Sequence, residues 1–325
     1  MKLGIKAVRL HLVVAVACLV TSGPLWASNA GRAGCFNLED LTPELRAKSE
    51  SYLLQALDTE HLYTIAGGMK PMSGGFFTAL LPMEVPTTEA VQMAEGHIRS
   101  HAGIADRDES QERRLASAQQ VLDGANAWKE VEDLRTILAT WRCGGEIYAD
   151  VVHYASPRGA HRSVQGVVFN MPSLRTTLGE KQGFFGKWAL TPNSNPVEVI
   201  MAVENADGVS RYAGYGYLFG YPDEAVKFFA TASASQEATG QFVEREARAI
   251  PTFQREAGQF TYAVPKGAPL TEADIAMRAR ASVILAAYTL RRAEFIGPGK
   301  PGPAALLRDW FCDADDRCSP SNAAR

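Results

Sequence analysis

The sequence predicts an α+β fold, with a mostly antiparallel central sheet and helices contributed by both ends of the chain. Helix-start signals cluster near the two ends, two-residue periodicity dominates the middle, and the two kinds of segment do not alternate regularly. The chain has 325 residues, of which 46% are hydrophobic and 21% charged. That composition provides a sizeable core and excludes intrinsic disorder.

The N-terminal half of this prediction begins with helical signals. A helix should start at Thr42, with Pro43 in its first turn, and should run to about Leu57. Residues 61–65 are strand-like, and a glycine-rich loop follows at 67–75. Two further helices are predicted over 87–101 and 108–123.

The middle of the chain supplies the predicted sheet. Segments 137–143 and 146–155 are separated by Gly144-Gly145, a hairpin signal, and 163–170 continues a meander that spans about 137–170. A further strand is predicted at 211–221, which would place its aromatic side chains on one face and its glycines on the other.

The remaining segments are predicted to be helical. Helices should begin near residues 173, 195 and 222. The clearest helix covers 272–294, where Thr271 is a good N-cap and Asp274 follows three residues later. A short apolar helix around residue 307 precedes the C-terminal cysteines.

The first thirty residues resemble an export signal in their organisation. A positively charged start precedes the apolar run 12–20, which is too short to span a bilayer, and small residues follow. We predict cleavage after Ala27 or Ala30, leaving 31–325 as a single domain in the periplasm or outside the cell. The alternatives are an uncleaved N-terminal anchor and lipid attachment at Cys18; no other segment is apolar enough to be transmembrane.

Charge and cysteine content limit the classes of partner, metal site and disulfide that the chain can have. The chain carries 33 basic and 36 acidic residues, a net charge of −3, and has no basic stripe, so a nucleic-acid partner is not expected. Behind the leader, two disulfides are favoured over a zinc site because paired CxxC spacing is absent, and no metal or cofactor is expected. The most economical pairing joins Cys312 to Cys318, closing the C-terminal tail, and Cys35 to Cys143.

One group of residues has the chemistry of a catalytic site. Glu60 and His61 precede a glycine-rich loop that contains Lys70 and Ser73. A carboxylate or imidazole can act as a base, and lysine can stabilise developing negative charge. The alternative interpretation is a turn with a solvated lysine. The helical pair His97 and His101 is interpreted as a surface feature, since the metalloprotease spacing is absent.

A second group has the chemistry of a binding site. Tyr215, Tyr217 and Tyr221 would form an aromatic platform for a sugar or planar ligand, and Arg142 and His153 would line the same sheet. The alternative is ordinary aromatic packing. We therefore predict an exported protein that binds a small molecule or glycan. The alternative function is a metal-independent hydrolase or lyase that uses the first group.

Overall fold

The computed structural model describes residues 35–104, 106–255, 260–313 and 317–320. The predicted leader, its cleavage sites and Cys18 lie outside these residues. Within the described part of the chain, no helix has both the length and the apolar character needed to cross a membrane. The predicted α+β class is confirmed, because a three-stranded antiparallel sheet and a two-stranded sheet are flanked by helices.

The described residues form eleven α-helices, five strands and one short 3₁₀ turn. The helices are α1 (Pro43–Asp58), α2 (Leu62–Ile65), α3 (Thr88–His101), α4 (Glu109–Trp141), α5 (Met171–Glu180), α6 (Gln182–Phe185), α7 (Pro196–Glu204), α8 (Gly208–Leu218), α9 (Asp223–Thr239), α10 (Glu272–Phe295) and α11 (Pro303–Phe311). The strands are β1 (Met72–Pro82), β2 (Ile147–His153), β3 (His161–Asn170), β4 (Arg245–Ile250) and β5 (Phe260–Pro265).

The larger sheet has the order β1-β3-β2, with every neighbour antiparallel. The central strand β3 is buried along most of its length, as its valine-rich sequence favours. Gly166 in this strand lies under the ring of Phe76, and a Cβ atom there would come within 2.6 Å of the ring. The glycine therefore lets the Phe76 ring approach the strand closely.

Both faces of this sheet are covered. One face, represented by Ala149 and Val168, packs on a core that includes Trp141 of α4. The other face, represented by Phe169, packs on a second core that includes Val203 of α7. The sheet is thus the middle layer between two helical layers.

Three segments predicted as strands are helical. In the segment 61–65, residues 62–65 form the single turn α2. Most of 137–143 is the last part of α4, which extends far beyond the predicted end at 123. Most of 211–221 belongs to α8. The structure also places a strand, β1, where the second half of the glycine-rich loop was predicted.

The error at 211–221 has a clear physical cause. A Cβ atom on Gly214 would come within 2.7 Å of Val203, and one on Gly216 within 2.8 Å of Val226. The two glycines let α8 approach two neighbouring helices closely, and their alternation with tyrosine imitates a strand. The N-cap Asp207, which accepts a hydrogen bond from the Ser210 amide at 2.9 Å, is the local helix signal.

Other predicted elements agree with the structure. Helix α10 covers the predicted 272–294, and Thr271 and Asp274 form a reciprocal capping box at its start. Both disulfides have the predicted pairing, Cys35–Cys143 and Cys312–Cys318. The first disulfide joins residues 108 apart in sequence and fixes the start of the described chain to the end of α4.

Candidate functional site

The predicted catalytic residues Glu60 and Lys70 meet in the structure. The Lys70 Nζ atom lies 2.6 Å from a carboxylate oxygen of Glu60, which follows α1. Lys70 lies between α2 and β1, in the part of the predicted glycine loop that remains irregular. Gly220 approaches this backbone closely: its φ is +72°, and a Cβ atom at this position would come within 2.5 Å of the Met69 carbonyl oxygen.

Lys70 is a core residue and has no exposed surface, so the solvated lysine of the alternative interpretation is wrong. Its ammonium group lies 4.6 Å from the ring centre of Phe260 and 5.4 Å from that of Phe219. Burial lowers the pKa of Lys70, although the charge of Glu60 and its hydrogen bond oppose that shift. Only the Glu60 side chain, 18% exposed, connects this ion pair with solvent.

His61 is buried beside the same pair. Its Nε2 atom lies 3.2 Å from the Gly74 carbonyl oxygen, and its Nδ1 atom lies 2.9 Å from the Thr59 hydroxyl. Because a carbonyl oxygen can only accept, Nε2 carries the proton and Nδ1 accepts from Thr59. Burial, together with the positive charge of Lys70, lowers the pKa of His61 to about 3. The imidazole is therefore neutral at ordinary pH.

Ser73 is not in a loop. It lies on β1 opposite Val168, and its fully buried hydroxyl is 2.7 Å from that of Thr64. The predicted group thus contains a close pair, Glu60 and Lys70, with His61 near their charge, whereas Ser73 hydrogen-bonds elsewhere. A catalytic role for this group of residues stays a prediction.

The buried imidazole makes stability depend on pH. Between about pH 6.5 and pH 3 the unfolded chain protonates this histidine while folded His61 stays neutral, so stability falls as the pH falls. We expect the loss to reach about 3 kcal/mol by about pH 4, at 1.36 kcal/mol per pKa unit. The difference between the free energies of unfolding in urea at about pH 7 and pH 4 measures this loss.

The matched variants are His61→Gln and His153→Gln, the second at an exposed histidine. His61→Gln should remove most of the excess loss of stability between the two pH values. His153→Gln should leave that loss unchanged. The same pH dependence in His61→Gln and the wild type would contradict a neutral, buried His61.

The three tyrosines of the predicted platform point to different neighbours. Tyr215 donates a hydrogen bond to the buried carboxylate of Glu204. The ring of Tyr217 packs edge-on against Phe184, at 5.2 Å between centres. Tyr221, beyond the end of α8, stacks on Phe260 at 6.0 Å. The prediction that these tyrosines share one face of a strand is therefore wrong. Ligand contact by these residues stays a prediction.

Arg142 caps the C-terminal end of α4, whereas His153 lies at the far end of β2. Arg142 donates hydrogen bonds to the Ala149 carbonyl at 3.0 Å and to Asp150 at 2.9 Å, and its guanidinium covers the ring of Tyr148. His153 ends the strand and is exposed. Arg142 thus has internal partners, although its side chain is 39% exposed, and its role in binding stays a prediction.

The structure contains a groove that the sequence does not predict. It has a volume of about 490 Å³ and lies between α9, the end of β5 and the segment that leads into α10. Its walls are mostly apolar and include Ala225, Phe228, Val264 and Pro269. The volume lies within the range of small-molecule sites, and polar or charged residues, Glu224, Lys227, Thr231, Arg248, Thr271 and Asp274, complete the lining.

A buried ion pair lies at the groove. Arg248 of β4 forms a salt bridge with Asp274 of α10 and donates hydrogen bonds to the carbonyls of Ala268 and Pro269, both at 2.7 Å. Burial favours the neutral acid, but hydrogen bonds from Tyr262 and Thr271 and the charge of Arg248 lower the pKa of Asp274. Asp274 therefore stays ionised and fixes the hairpin of β4 and β5 to α10.

No local pattern identifies this groove. Its residues come from 222–231, Arg248 and 264–274, and each segment by itself reads as a helix, a strand or a turn. The one available signal is Asp274, whose place in the capping box conceals its second role as the partner of Arg248. The predicted site residues do not line the groove, although Tyr221 directly precedes its first wall residue.

Metal-ligand geometry among the described residues is limited to three sulfur atoms, those of Cys35, Cys312 and Cys318, all of which belong to disulfides. The predicted surface pair His97 and His101 lies on α3, with ring centres 6.2 Å apart. Comparison of the chain with protein-family models, with curated proteins and with solved structures found no match.

Proposed function

We propose that the chain is an exported binding protein, and that a small, largely apolar molecule occupies the groove between α9, β5 and α10. The observation that carries this proposal is the groove itself, about 490 Å³ in volume and lined mostly by apolar side chains. The two disulfides support folding in an oxidising compartment outside the cytoplasm.

The lining also indicates the chemistry of the ligand. Phe228, Val264 and Pro269 offer apolar contact, whereas Lys227 and Glu224 form an exposed ion pair on α9, 3.0 Å apart, whose charges a ligand can reach. Arg248 and Asp274 are already paired with each other. A molecule with an apolar body and one polar end fits this arrangement better than a glycan, which needs many hydrogen-bonding partners.

The alternative function, a hydrolase or lyase based on Glu60 and Lys70, requires a conformational change that binding in the groove does not require. A substrate must reach the Lys70 amine, which is fully buried beside Phe219 and Phe260. Those rings would have to move before any contact forms. We therefore favour the groove as the functional site and regard the ion pair as part of the scaffold.

A groove-filling substitution tests the proposal. Thr231 is exposed on α9 and lines the groove, so Thr231→Trp should occupy its space without disturbing the core. Titration with 8-anilinonaphthalene-1-sulfonate, an apolar anionic dye, should show saturable fluorescence with the wild type. The affinity of Thr231→Trp should be lower by about ten-fold or more, because the lost apolar contact is worth at least about 1.4 kcal/mol.

The control is Ser235→Trp, which places the same side chain one turn later on the same exposed helix. It should bind the dye as the wild type does, and circular dichroism should show equal helix content in all three proteins. Equal affinity in Thr231→Trp and Ser235→Trp would contradict binding in the groove.

A further inference from the structure

The two disulfides are neighbours in space. The sulfur atoms of Cys35, Cys312 and Cys318 all lie within 4.8 Å of one another, although the two disulfides are far apart in sequence. A thiolate exchanges with a disulfide by direct attack on one of its sulfur atoms. A thiolate at either C-terminal position would therefore start within short reach of the Cys35 sulfur.

The two disulfides differ in accessibility. Cys143 is almost completely buried and Cys35 is 8% exposed, whereas Cys312 and Cys318 are both partly exposed. An external thiol would accordingly reach the Cys312–Cys318 bond first, since access is one of the factors that set the rate of exchange.

The surrounding contacts hold the sulfur atoms together. Arg308 of α11 donates a hydrogen bond to the Cys35 carbonyl at 3.0 Å. Ser319, next to Cys318, donates one to Glu146 at 2.6 Å, and Glu146 follows Cys143 in the turn before β2. These contacts tie the C-terminal tail to both ends of the longer disulfide, so the proximity does not depend on the Cys312–Cys318 bond alone.

We propose that Cys312–Cys318 is a thiol-exchange site, and that it passes the exchange on to Cys35–Cys143. A partner dithiol reduces Cys312–Cys318 and is itself oxidised to a disulfide. The Cys312 thiolate then attacks the Cys35 sulfur, forming a Cys35–Cys312 bond while the Cys35–Cys143 bond breaks. The electron pair leaves on the Cys143 sulfur, which takes a proton from solvent. This second step involves no net oxidation or reduction.

The Cys318→Ser variant isolates the second step, because it leaves a free thiol on Cys312 without any reductant. At about pH 8.5, peptide mapping after acid quenching should find a Cys35–Cys312 disulfide and a free Cys143 thiol. The rate should not depend on protein concentration, since the reaction is intramolecular. It should fall by about a hundred-fold or more at about pH 5.5, where little thiolate remains.

Two further variants keep the proposal testable. Cys312→Ser should form Cys35–Cys318 by the same route, because both sulfur atoms lie near Cys35. Cys312→Ser/Cys318→Ser has no internal attacking thiol and should keep Cys35–Cys143 intact at both pH values in the absence of reductant. An intact Cys35–Cys143 bond beside a persistent free thiol in both single variants, or exchange only between molecules, would overturn the proposal.

Discussion

Replacing both Cys35 and Cys143 with alanine is expected to lower the free energy of unfolding by about 5 kcal/mol, because their disulfide closes a very long loop. The two residues are 108 apart in sequence, so the bond strongly restricts the unfolded chain. The same substitutions at Cys312 and Cys318, only 6 apart, should cost about 2 kcal/mol in the same chain-entropy model.

Urea unfolding of both double variants provides the measurement. The shorter disulfide serves as the matched control, because its replacement also removes one disulfide and its sulfur atoms lie beside that of Cys35. Equal losses in the two variants would contradict the interpretation that loop closure, and not local packing, is the main contribution of Cys35–Cys143.

Breaking the Glu60–Lys70 pair from the acidic side should also be costly. Glu60→Ala leaves the fully buried Lys70 ammonium without its carboxylate partner, and such a change typically costs about 3–5 kcal/mol. Lys70→Met should cost less than half as much, because Glu60 is partly exposed and can be hydrated, while methionine still packs on Phe219 and Phe260.

The pH dependence of the stability of Glu60→Ala shows whether the loss comes from the unpaired charge of Lys70. Without Glu60, the lowered pKa of Lys70 should fall further, because only the charge and hydrogen bond of Glu60 oppose burial. Between the lowered pKa of folded Lys70 and about pH 10.4, the lysine is then protonated in the unfolded chain and neutral in the folded chain. The stability of Glu60→Ala should therefore rise with pH over this range. A loss in Glu60→Ala equal to that in Lys70→Met would contradict a structural ion pair.

The sequence predicts those elements whose signals are local. The N-cap at Thr271 and the proline after Thr42 each lie within one turn of the helix that they start, and both helices form as predicted. The disulfide pairing follows from a count of cysteines and a short loop. These features do not depend on which distant segment packs against them.

The errors arise where packing between distant segments decides the structure. Gly214 and Gly216 alternate with tyrosine as in a strand, but they are required by contact with Val203 and Val226. The buried residues at the end of α4, Leu134, Ile137, Leu138 and Trp141, share one helix face. The short window 137–143 nevertheless imitates a strand, because every second residue from Ile137 onward is apolar. In both places the tertiary contact, which is absent from a local pattern, determines the secondary structure.

In the candidate site, too, local signals were predictable and contacts between distant segments were not. Glu60 and Lys70 are ten residues apart and were predicted to act together, and they do form a pair. That Lys70 is fully buried could not be predicted, because Phe219 and Phe260 cover it from distant parts of the chain. The groove is likewise assembled from three separate segments. Sequence patterns identified the reactive groups, and the fold determined which of them face solvent.

The most direct test of the proposed function is a crystal structure of the protein with the tightest small-molecule binder found in a thermal-shift screen. We predict electron density for the ligand in the groove, with its apolar part between Phe228 and Val264 and its polar end toward Lys227. Ligand density beside Tyr217, or beside Glu60 with the covering rings displaced, would contradict the account.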